Sequence, residues 1–310
     1  MARRLYFLFF SGCEGLAVAG TQQAFHEAND FGGDYEIRNC GIETEIVTEQ
    51  GLKIAGLEPM PEPTDLTEKD YVFLLGYTIE RCVPPESFAS WLRRASERRP
   101  TMVSICSGAF FLGKAGLLDG RECTTHWKRC DLLQRTFPRA KIMKERLFVE
   151  ADRVYTSGGG ASCIDLALHL IERDYGPLVT AKVARELVVF YRREADDRQI
   201  SVYLDYRSHL HPAIHELQDY LCSKPETDVG LDNLAHAVGM SERNMTRTFR
   251  RATGISIAEY RTKIRLERAA GLLKSPDLTV DAVAAQCGFS DARQLRRIWK
   301  RAYGTSPKGS

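Results

Sequence analysis

The chain has 310 residues, of which 44% are hydrophobic and 27% are charged, and its formal net charge is +2. This composition excludes a fibrous or low-complexity chain, and the length suffices for two domains of ordinary size. The charge is uneven, because residues 224–310 hold 16 Lys and Arg against 9 Asp and Glu, whereas residues 1–223 hold 27 against 32. Only the C-terminal third therefore carries the excess positive charge expected of a domain that binds nucleic acid.

The first residues and the cysteines indicate the compartment. The start, MARRLYFLFFSG, contains an apolar run of about six residues, too short for a secretory signal or a membrane span, and it predicts a first buried strand. The nine cysteines are an odd number without a CxxC pair, which argues against a disulfide framework and against a zinc module. We therefore expect a cytoplasmic, nucleoid-associated protein with reduced thiols and with no membrane, metal or cofactor.

Residues 1–195 alternate short apolar runs with amphipathic segments. The runs at 5–10, 71–76 and 101–106 have the character of buried strands, and the segments 87–98 and 162–173 have helical spacing. This alternation predicts an α/β domain with a flavodoxin-like parallel sheet and helices on both faces. We interpret the polar stretch 196–212 as an interdomain linker. From 213 to 310 the strand signals vanish, which predicts an all-α domain.

The last hundred residues contain an internal repeat. The copies are LDNLAHAVGMSERNMTRTFRRATGIS (231–256) and VDAVAAQCGFSDARQLRRIWKRAYGTS (280–306). Each has a small residue at a helix crossing, a turn glycine, a helix-capping residue and an aromatic anchor, namely Ala235, Gly239, Ser241 and Phe249, then Ala284, Gly288, Asp291 and Trp299. The pattern predicts helix-turn-helix units at about 231–252 and 280–302, and the alternative is a pair of basic helices that only solvate a surface.

Residues 213–307 resemble the AraC/XylS type of transcriptional regulator, including the long segment IAEYRTKIRLERAAGLLKSPDLTVDAVAAQCGFS between the two units. The resemblance implies a long helix that presents two recognition helices to successive major-groove segments of double-stranded promoter DNA. It also implies activation through RNA polymerase. Carried over by position, the base-contacting residues are Arg243, Thr246, Arg247, Arg293 and Arg297, and the phosphate-contacting residues are Arg250, Arg251, Arg296, Lys300 and Arg301.

The most informative segment of the first two hundred residues is TMVSICSGAFFLGKAGLLDGRECTTHW (101–127). An apolar strand ends at Cys106 and a helix follows at once, which is the layout of a nucleophile elbow with a thiol where the helix dipole favours thiolate. His126 lies 20 residues further on and is a candidate neighbour of the thiol. The alternative is that Cys106 is only a small buried hydrophobe.

Residues 4–192, including TSGGGASCIDLALHLI (156–171), resemble the class I glutamine amidotransferase-like superfamily, in its branch of intracellular proteases, deglycases and isonitrile hydratases. Enzymes of that superfamily pair the elbow cysteine with an acid from the turn after the first strand. The position we align with the acid is Ala17, and Glu14 is the alternative acid. We therefore expect no catalytic residue, with Cys106 and His126 as vestiges of an active site.

Such a domain ahead of an AraC-type pair implies a homodimer that senses a small-molecule effector, such as an amino acid or a quaternary amine. Open α/β sheets bind ligands beyond the carboxyl ends of their strands, and amides near Gly76, Tyr77 and Ser107 are candidates for binding a carboxylate. The predicted lining residues are Glu14, Gly15, Gly76, Tyr77, Cys106, Ser107, His126, Ser157, Gly158 and Gly159.

The leading hypothesis is therefore a ligand-responsive transcriptional regulator, in which the effector changes how the C-terminal units engage a promoter. The alternative is a cysteine-dependent hydrolase or hydratase that is tethered to DNA. A third possibility is a DNA-binding protein whose N-terminal domain only dimerises.

Overall fold

The computed structural model describes residues 2–79, 85–275 and 277–307. The chain divides into two compact units, Met1–Gln199 and Ile200–Ser310. Two features of the sequence analysis, the cysteine at position 82 and the last three residues of the predicted DNA-binding domain, lie outside the described residues.

A seven-stranded sheet forms the centre of the first unit, in the order β10-β11-β7-β6-β1-β2-β5. The strands are β1 (Arg3–Phe9), β2 (Tyr35–Gly41), β3 (Glu45–Val47), β4 (Lys53–Ala55), β5 (Glu58–Pro59), β6 (Tyr71–Leu74), β7 (Thr101–Ile105), β8 (Glu122–Cys123), β9 (Lys141–Ile142), β10 (Phe148–Ala151) and β11 (Val154–Ser157). β3 with β4 and β8 with β9 form two small separate sheets.

Five strands of the main sheet, β2-β1-β6-β7-β11, are parallel neighbours, and β10 pairs with β11 in the antiparallel sense. In chain order these five are the second, first, third, fourth and fifth, which is the flavodoxin-like order predicted from the sequence. The order reverses between β1 and β6, so the loops after these strands diverge and leave a crevice at the carboxyl edge.

Helices cover both faces of the sheet, as predicted. They are α1 (Gly15–Asp30), α2 (Glu86–Glu97), α3 (Ala109–Lys114), α4 (Cys130–Thr136) and α5 (Ser162–Glu186). Side chains of β1 alternate between two cores: Phe7 packs in the core shared with α1 and α5, and Leu8 packs in the core shared with α2 and α3. α5 continues well past the predicted segment 162–173 and is interrupted at Gly176, whose φ is +80°, directly before Pro177.

The second unit is helical, as predicted. Its helices are α6 (Val202–Asp205), α7 (Pro212–Ser223), α8 (Leu231–Ala237), α9 (Glu242–Thr253), α10 (Ile257–Leu272), α11 (Val280–Gln286) and α12 (Ala292–Tyr303). α6 falls inside the stretch 196–212 that we interpreted as a linker. Val202 is only 2% exposed and belongs to the same core as Ile214 and Phe249, so part of that stretch is packed structure.

The two predicted helix-turn-helix units correspond to α8–α9 and α11–α12. The turn glycines have positive φ, +62° at Gly239 and +77° at Gly288, as a tight turn between helices requires. The Ser241 hydroxyl accepts a hydrogen bond from the Asn244 amide at 3.4 Å, and the Asp291 carboxylate accepts one from Gln294 at 2.7 Å. Both capping residues therefore have the predicted role.

Within residues 2–79, 85–275 and 277–307, no helix is long and apolar enough to cross a bilayer.

Candidate functional site

Cys106 occupies a strained turn between strand and helix. It directly follows β7, and its φ of +56° is unusual for a residue other than glycine. A short 3-10 helix, Cys106–Gly108, leads into α3. A Cβ at Gly108 would lie 2.1 Å from the Leu74 carbonyl oxygen, so only glycine lets the turn sit this close to β6. The structure thus confirms the predicted elbow between strand and helix. Backbone strain of this kind persists only where the neighbouring structure enforces it.

Two glycines enclose the Cys106 side chain. A Cβ at Gly76 would lie 2.7 Å from the Cys106 Cβ, and a Cβ at Gly159 would lie 2.3 Å from the same atom. Gly159 also has a φ of +77°. Cys106 is only 4% exposed, so the loops after β6 and β11 leave little room around its side chain.

Glu14 is the acid partner of the thiol. The Cys106 Sγ donates a hydrogen bond of 3.1 Å to Glu14 Oε1. Ala17, the position we aligned with the acid, lies within α1 and is fully buried. The alignment of the acid with Ala17 is therefore wrong, and the alternative acid, Glu14, is the partner of the thiol, because α1 begins at Gly15 and leaves Glu14 in the loop that faces the elbow.

The environment of the pair favours a protonated thiol. Burial, followed by the negative charge of Glu14 and its hydrogen bond, raises the pKa of the Cys106 thiol far above its ordinary range. Burial also raises the pKa of Glu14, and the hydrogen bond from Cys106 partly opposes that shift. The expectation that the helix dipole favours thiolate here is wrong, because desolvation and the adjacent carboxylate dominate.

Two main-chain amides of the crevice, those of Tyr77 and Gly15, already have partners inside the protein. The Tyr77 amide donates to Ser107 Oγ at 2.7 Å, and Ser107 Oγ donates to the Tyr77 carbonyl at 2.5 Å. The Gly15 amide donates to Gln50 Oε1 at 2.9 Å. The proposed carboxylate-binding role of the Tyr77 amide is therefore not supported, because the hydroxyl of Ser107 occupies this donor.

His126 is turned toward its own helix. Its Nδ1 accepts a hydrogen bond from the Lys128 amide at 3.4 Å, and burial lowers the pKa of the imidazole. Within the described parts of the chain, His126 and Cys106 form no hydrogen bond. The neighbouring Thr125 does reach the elbow, since its hydroxyl donates to the Cys106 carbonyl at 2.7 Å.

The loop after β11 is covered by a side chain that the sequence analysis did not identify. Ser157 ends β11 and is fully buried, and a Cβ at Gly158 would lie 2.5 Å from Gln199 Oε1. The sequence around Thr125 and Gln199 does not indicate that they contact the elbow and the loop after β11, because both contacts are with residues distant in the chain. Of the predicted pocket residues, the structure brings Glu14, Gly76, Tyr77, Cys106, Ser107 and Gly159 together at the elbow. Ser157 lies beside the elbow because it pairs with Ile105 in the sheet. Gly15 contacts Gln50, Gly158 lies against Gln199, and His126 is engaged with Lys128.

The second helix of each helix-turn-helix unit has a buried face and a basic face. Met245 and Phe249 of α9 are fully buried, and Leu295 of α12 is fully buried beside the half-buried Trp299. Nine of the predicted DNA-contacting side chains are exposed, and Thr246 is half-buried: they are Arg243, Thr246, Arg247, Arg250, Arg251, Arg293, Arg296, Arg297, Lys300 and Arg301.

These basic side chains are not neutralised by carboxylates. Among the described residues, none of the nine cations on α9 and α12 forms an ion pair, although Arg247 donates to the Asn244 side chain at 3.1 Å. The Thr246 hydroxyl donates to the Glu242 carbonyl at 2.9 Å, so its proton is used within the helix. By contrast, arginines of α10 are paired with Asp228 and Glu226. The exposed cations of the second helices can therefore meet phosphate or base edges without first breaking an ion pair with a described carboxylate.

Comparison with known families assigns both units. Residues 3–173, more than half of the chain, match the DJ-1/PfpI family. Residues 234–309 match the family described as a helix-turn-helix domain.

Comparison with individual proteins gives similar chains in Pseudomonas aeruginosa. The HTH-type transcriptional regulator GbdR is 30% identical over 233 residues, and the match covers 75% of this chain and 63% of that protein's length. The HTH-type transcriptional regulator CdhR is 27% identical over 317 residues, which cover 99% of this chain and 91% of that protein. A crystal structure of an AraC family transcriptional regulator from Pseudomonas putida matches with a TM-score of 0.55 at 19% identity, covering 60% of this chain and 99% of that one, which supports the fold.

Proposed function

Because the chain belongs to the DJ-1/PfpI family and carries an AraC-type helix-turn-helix domain, we propose that it is a sequence-specific DNA-binding transcriptional regulator controlled by a small metabolite. The observation that carries this proposal is the pair of helix-turn-helix units whose second helices hold nine cations without a carboxylate partner among the described residues. A solvating surface helix needs no turn glycine, no cap and no second copy, and both units have all three.

The proposed contacts divide into two classes. Arg243, Thr246 and Arg247 of α9, with Arg293 and Arg297 of α12, occupy the positions proposed to read base edges. Arginine suits this task because its guanidinium can bind guanine in a bidentate manner. The remaining cations are proposed to contact phosphates and to set affinity and register, namely Arg250, Arg251, Arg296, Lys300 and Arg301.

The proposed effector site is the crevice at the carboxyl edge of the sheet, where the loops after β1 and β6 diverge. Glu14 is only half-buried there and presents a carboxyl group, whereas the amide of Tyr77 is occupied by Ser107. This arrangement favours an effector with a cationic nitrogen, as in an amino acid or a quaternary amine. The cation would lie near Glu14, and the enclosed thiol of Cys106 would form part of the floor.

We propose that this domain senses its ligand without turning it over. Acyl transfer at a cysteine requires a thiolate and a base that is oriented toward it. Here the thiol donates a hydrogen bond to Glu14 and keeps its proton because its pKa is raised, and His126 is engaged with Lys128.

The alternative, a cysteine-dependent hydrolase or hydratase tethered to DNA, has one specific observation in its favour. The carboxylate of Glu14 lies 3.1 Å from a cysteine in a strained elbow, and it could accept the thiol proton. Cys106→Ser separates the two functions. Promoter control that survives this substitution, in a protein without measurable turnover, supports the sensor. Turnover that disappears in the variant supports the enzyme.

The partners proposed with this function are double-stranded promoter DNA, the effector, RNA polymerase and a second copy of the chain joined through the N-terminal domain. The proposed place of action is the cytoplasm. Activation is the proposed direction of regulation, because regulators of this type commonly recruit polymerase.

Two measurements test the proposal. Selection from a random double-stranded DNA library by the purified chain should yield a motif with two separate half-sites, and recovery of no motif contradicts sequence-specific binding. A thermal-shift screen against amino acids and quaternary amines should find a stabilising compound, since a ligand at a hundredfold its Kd adds about 2.7 kcal/mol of stability. A flat screen favours an N-terminal domain that only dimerises.

A further inference from the structure

The segment that connects α7 to α8 lies against the helix that joins the two helix-turn-helix units. Three arginines on one face of α10 hold this segment, residues 225–229. Arg265 Nε donates to the Pro225 carbonyl at 2.7 Å, and Arg268 Nη1 donates to Glu226 Oε2 at 2.7 Å. These arginines therefore donate hydrogen bonds both to main-chain carbonyls and to carboxylates of one short segment.

Arg261 completes the set of contacts. Its Nη1 donates to Asp228 Oδ1 at 2.7 Å, and its Nη2 donates to the Val229 carbonyl at 2.9 Å. The side chains of Arg261 and Arg265 are each only 14% exposed. A buried guanidinium group that donates several hydrogen bonds has little conformational freedom. Residues 225–229 are therefore fixed to α10 along their length.

The same segment touches the second helix-turn-helix unit at its turn. A Cβ at Gly288 would lie 2.6 Å from the Glu226 carbonyl oxygen and 2.7 Å from the Glu226 Cα. The equivalent glycine of the first unit, Gly239, has nothing within 4 Å of such an atom. Both glycines have positive φ, but the two turns differ in their surroundings. Only at Gly288 does the main chain of another segment approach closely.

This contact matters because the second unit of the chain has two separate cores. One core holds α8 and α9 with the first half of α10, including Tyr260 and Ile264. The other holds α11 and α12 with the second half of α10, including Leu266 and Ala269. A single helix that joins two cores leaves bending and twisting as soft motions. Residues 225–229 connect α7 to α8, whose side chains belong to the first of these cores. The same residues contact the turn between α11 and α12 at Gly288, so they link the two cores a second time, in addition to α10.

We propose that residues 225–229, held by Arg261, Arg265 and Arg268 and abutting Gly288, fix the angle and distance between the two recognition helices and so set the spacing of the two DNA half-sites. This inference rests on the proposed function. Two recognition helices held rigidly can reach half-sites at only one separation, which is about one helical turn, or about 10 base pairs, in paired helix-turn-helix proteins. Residues that never touch DNA would thereby determine which promoters are bound.

The test is selection of DNA by the full chain from a random library, followed by affinity measurements on the selected motif with its half-site spacing changed by one base pair. The wild type should prefer its own spacing by about tenfold or more, because a shifted half-site loses base contacts. In Gly288→Ala, the added Cβ should displace Glu226, and the preference should fall to about twofold. The half-site sequences should stay the same.

Gly239→Ala is the matched control. It imposes the same backbone strain on the other turn, where no close approach exists, so it should weaken binding and keep the spacing preference. Glu226→Gln is a second, milder variant, since it removes only the ion pair with Arg268 at an exposed site. It should broaden the spacing preference less than Gly288→Ala and keep the fold measured by circular dichroism.

The outcomes separate the inference from the function on which it rests. A wild-type chain that selects no two-part motif contradicts the proposed function itself. A wild type with one preferred spacing, together with an unchanged preference in Gly288→Ala, overturns the inference alone. Equal broadening in Gly239→Ala and Gly288→Ala also overturns it, because strain in any turn would then suffice. Should Gly288→Ala fail to fold, Glu226→Gln decides, and an unchanged spacing preference in that variant overturns the inference.

Discussion

The side-chain amide of Gln199 donates a hydrogen bond of 2.9 Å to the carbonyl oxygen of Thr125. The same nitrogen lies 3.0 Å from the Arg146 carbonyl oxygen, and the Thr125 hydroxyl donates to the Cys106 carbonyl at 2.7 Å. Gln199 is the last residue of the first unit. A chain of hydrogen bonds therefore runs from the elbow to the point where the chain leaves the α/β unit, which is a contiguous physical route between two places.

Gln199→Ala tests whether this route transmits the effector signal. The variant leaves the Thr125 and Arg146 carbonyls without this donor, so we expect a loss of about 1–2 kcal/mol in the free energy of unfolding. We further expect the change in DNA affinity caused by the effector to shrink, while the protein still binds each ligand separately. The measurement is DNA affinity with and without a compound found in the thermal-shift screen.

The control for this prediction is Gln134→Ala. Gln134 also donates from its side chain to a main-chain carbonyl, that of Ala140 at 3.2 Å, but it lies on α4 away from the unit boundary. An effector response that is equally reduced in both variants would mean that general destabilisation, rather than the route through Gln199, is the cause.

Glu14→Gln should make Cys106 more reactive. The negative charge of Glu14 raises the thiol pKa by opposing the thiolate, so an amide in its place should lower that pKa and increase the thiolate fraction at any given pH. We expect alkylation of Cys106 by iodoacetamide to accelerate several-fold across the neutral to alkaline range. Peptide mass spectrometry as a function of pH measures the rate at each cysteine separately.

Two comparisons make the alkylation result specific. Cys40, whose pKa burial raises to about 11, serves as an internal reference whose rate should not change. Glu45→Gln changes a carboxylate on the exposed β3–β4 hairpin and should leave Cys106 as slow as in the wild type. A Cys106 rate that stays constant in Glu14→Gln would show that access to the buried thiol, and not its ionisation, limits the reaction.

Gly159→Ala and Gly160→Ala should differ sharply although the residues are adjacent. Both have positive φ, +77° and +55°, so alanine at either position costs about 1–2 kcal/mol. Only the Gly159 methyl would collide with Cys106, which adds about 1–3 kcal/mol of overpacking, whereas nothing lies within 4 Å at Gly160. Urea unfolding with equal m-values gives the two free energies, and similar losses would contradict the close packing at the elbow.

The helix-turn-helix units could be predicted in detail from the sequence because each of their determinants is local. A turn glycine, a capping side chain three residues before its amide partner, and apolar residues four apart all act within a few positions, as Gly239, Ser241 and the pair Met245 and Phe249 demonstrate. The order of the sheet was likewise predictable, since the alternation of strands and helices with the family resemblance restricts the topology.

The sequence offered both Ala17 and Glu14 as the acid of the elbow, and it could not decide between them because the choice depends on where α1 begins. α1 starts after Glu14, which has no side-chain cap, so no Ser, Thr, Asp or Asn indicated the boundary. Long-range contacts set it instead: the Glu14 amide donates to the Gly76 carbonyl at 2.9 Å, and the Gly12 amide donates to the Val47 carbonyl at 2.8 Å. Glu14, the partner of the thiol, therefore lies only three positions before Ala17, which is buried within α1.

Arg297→Ala and Lys300→Ala should affect DNA binding in different ways. Arg297 is proposed to read a base and Lys300 to contact phosphate, and both are exposed on α12 without an ion pair among the described residues. We expect Arg297→Ala to relax specificity at one base position by about 1–3 kcal/mol. Lys300→Ala should weaken specific and random DNA alike and reduce the slope of log affinity against log salt by about one.

Affinities for the selected motif, its single-base variants and random DNA, each at several salt concentrations, distinguish the two roles. The pair forms its own control, because both substitutions remove one positive charge from the same helix, and neither side chain forms a hydrogen bond or an ion pair among the described residues. Equal weakening of Arg297→Ala on specific and random DNA would therefore assign that side chain to phosphate. Because residues four apart share one face of a helix, such a result would leave Arg293, one turn earlier on the same face, as the base-reading candidate of α12.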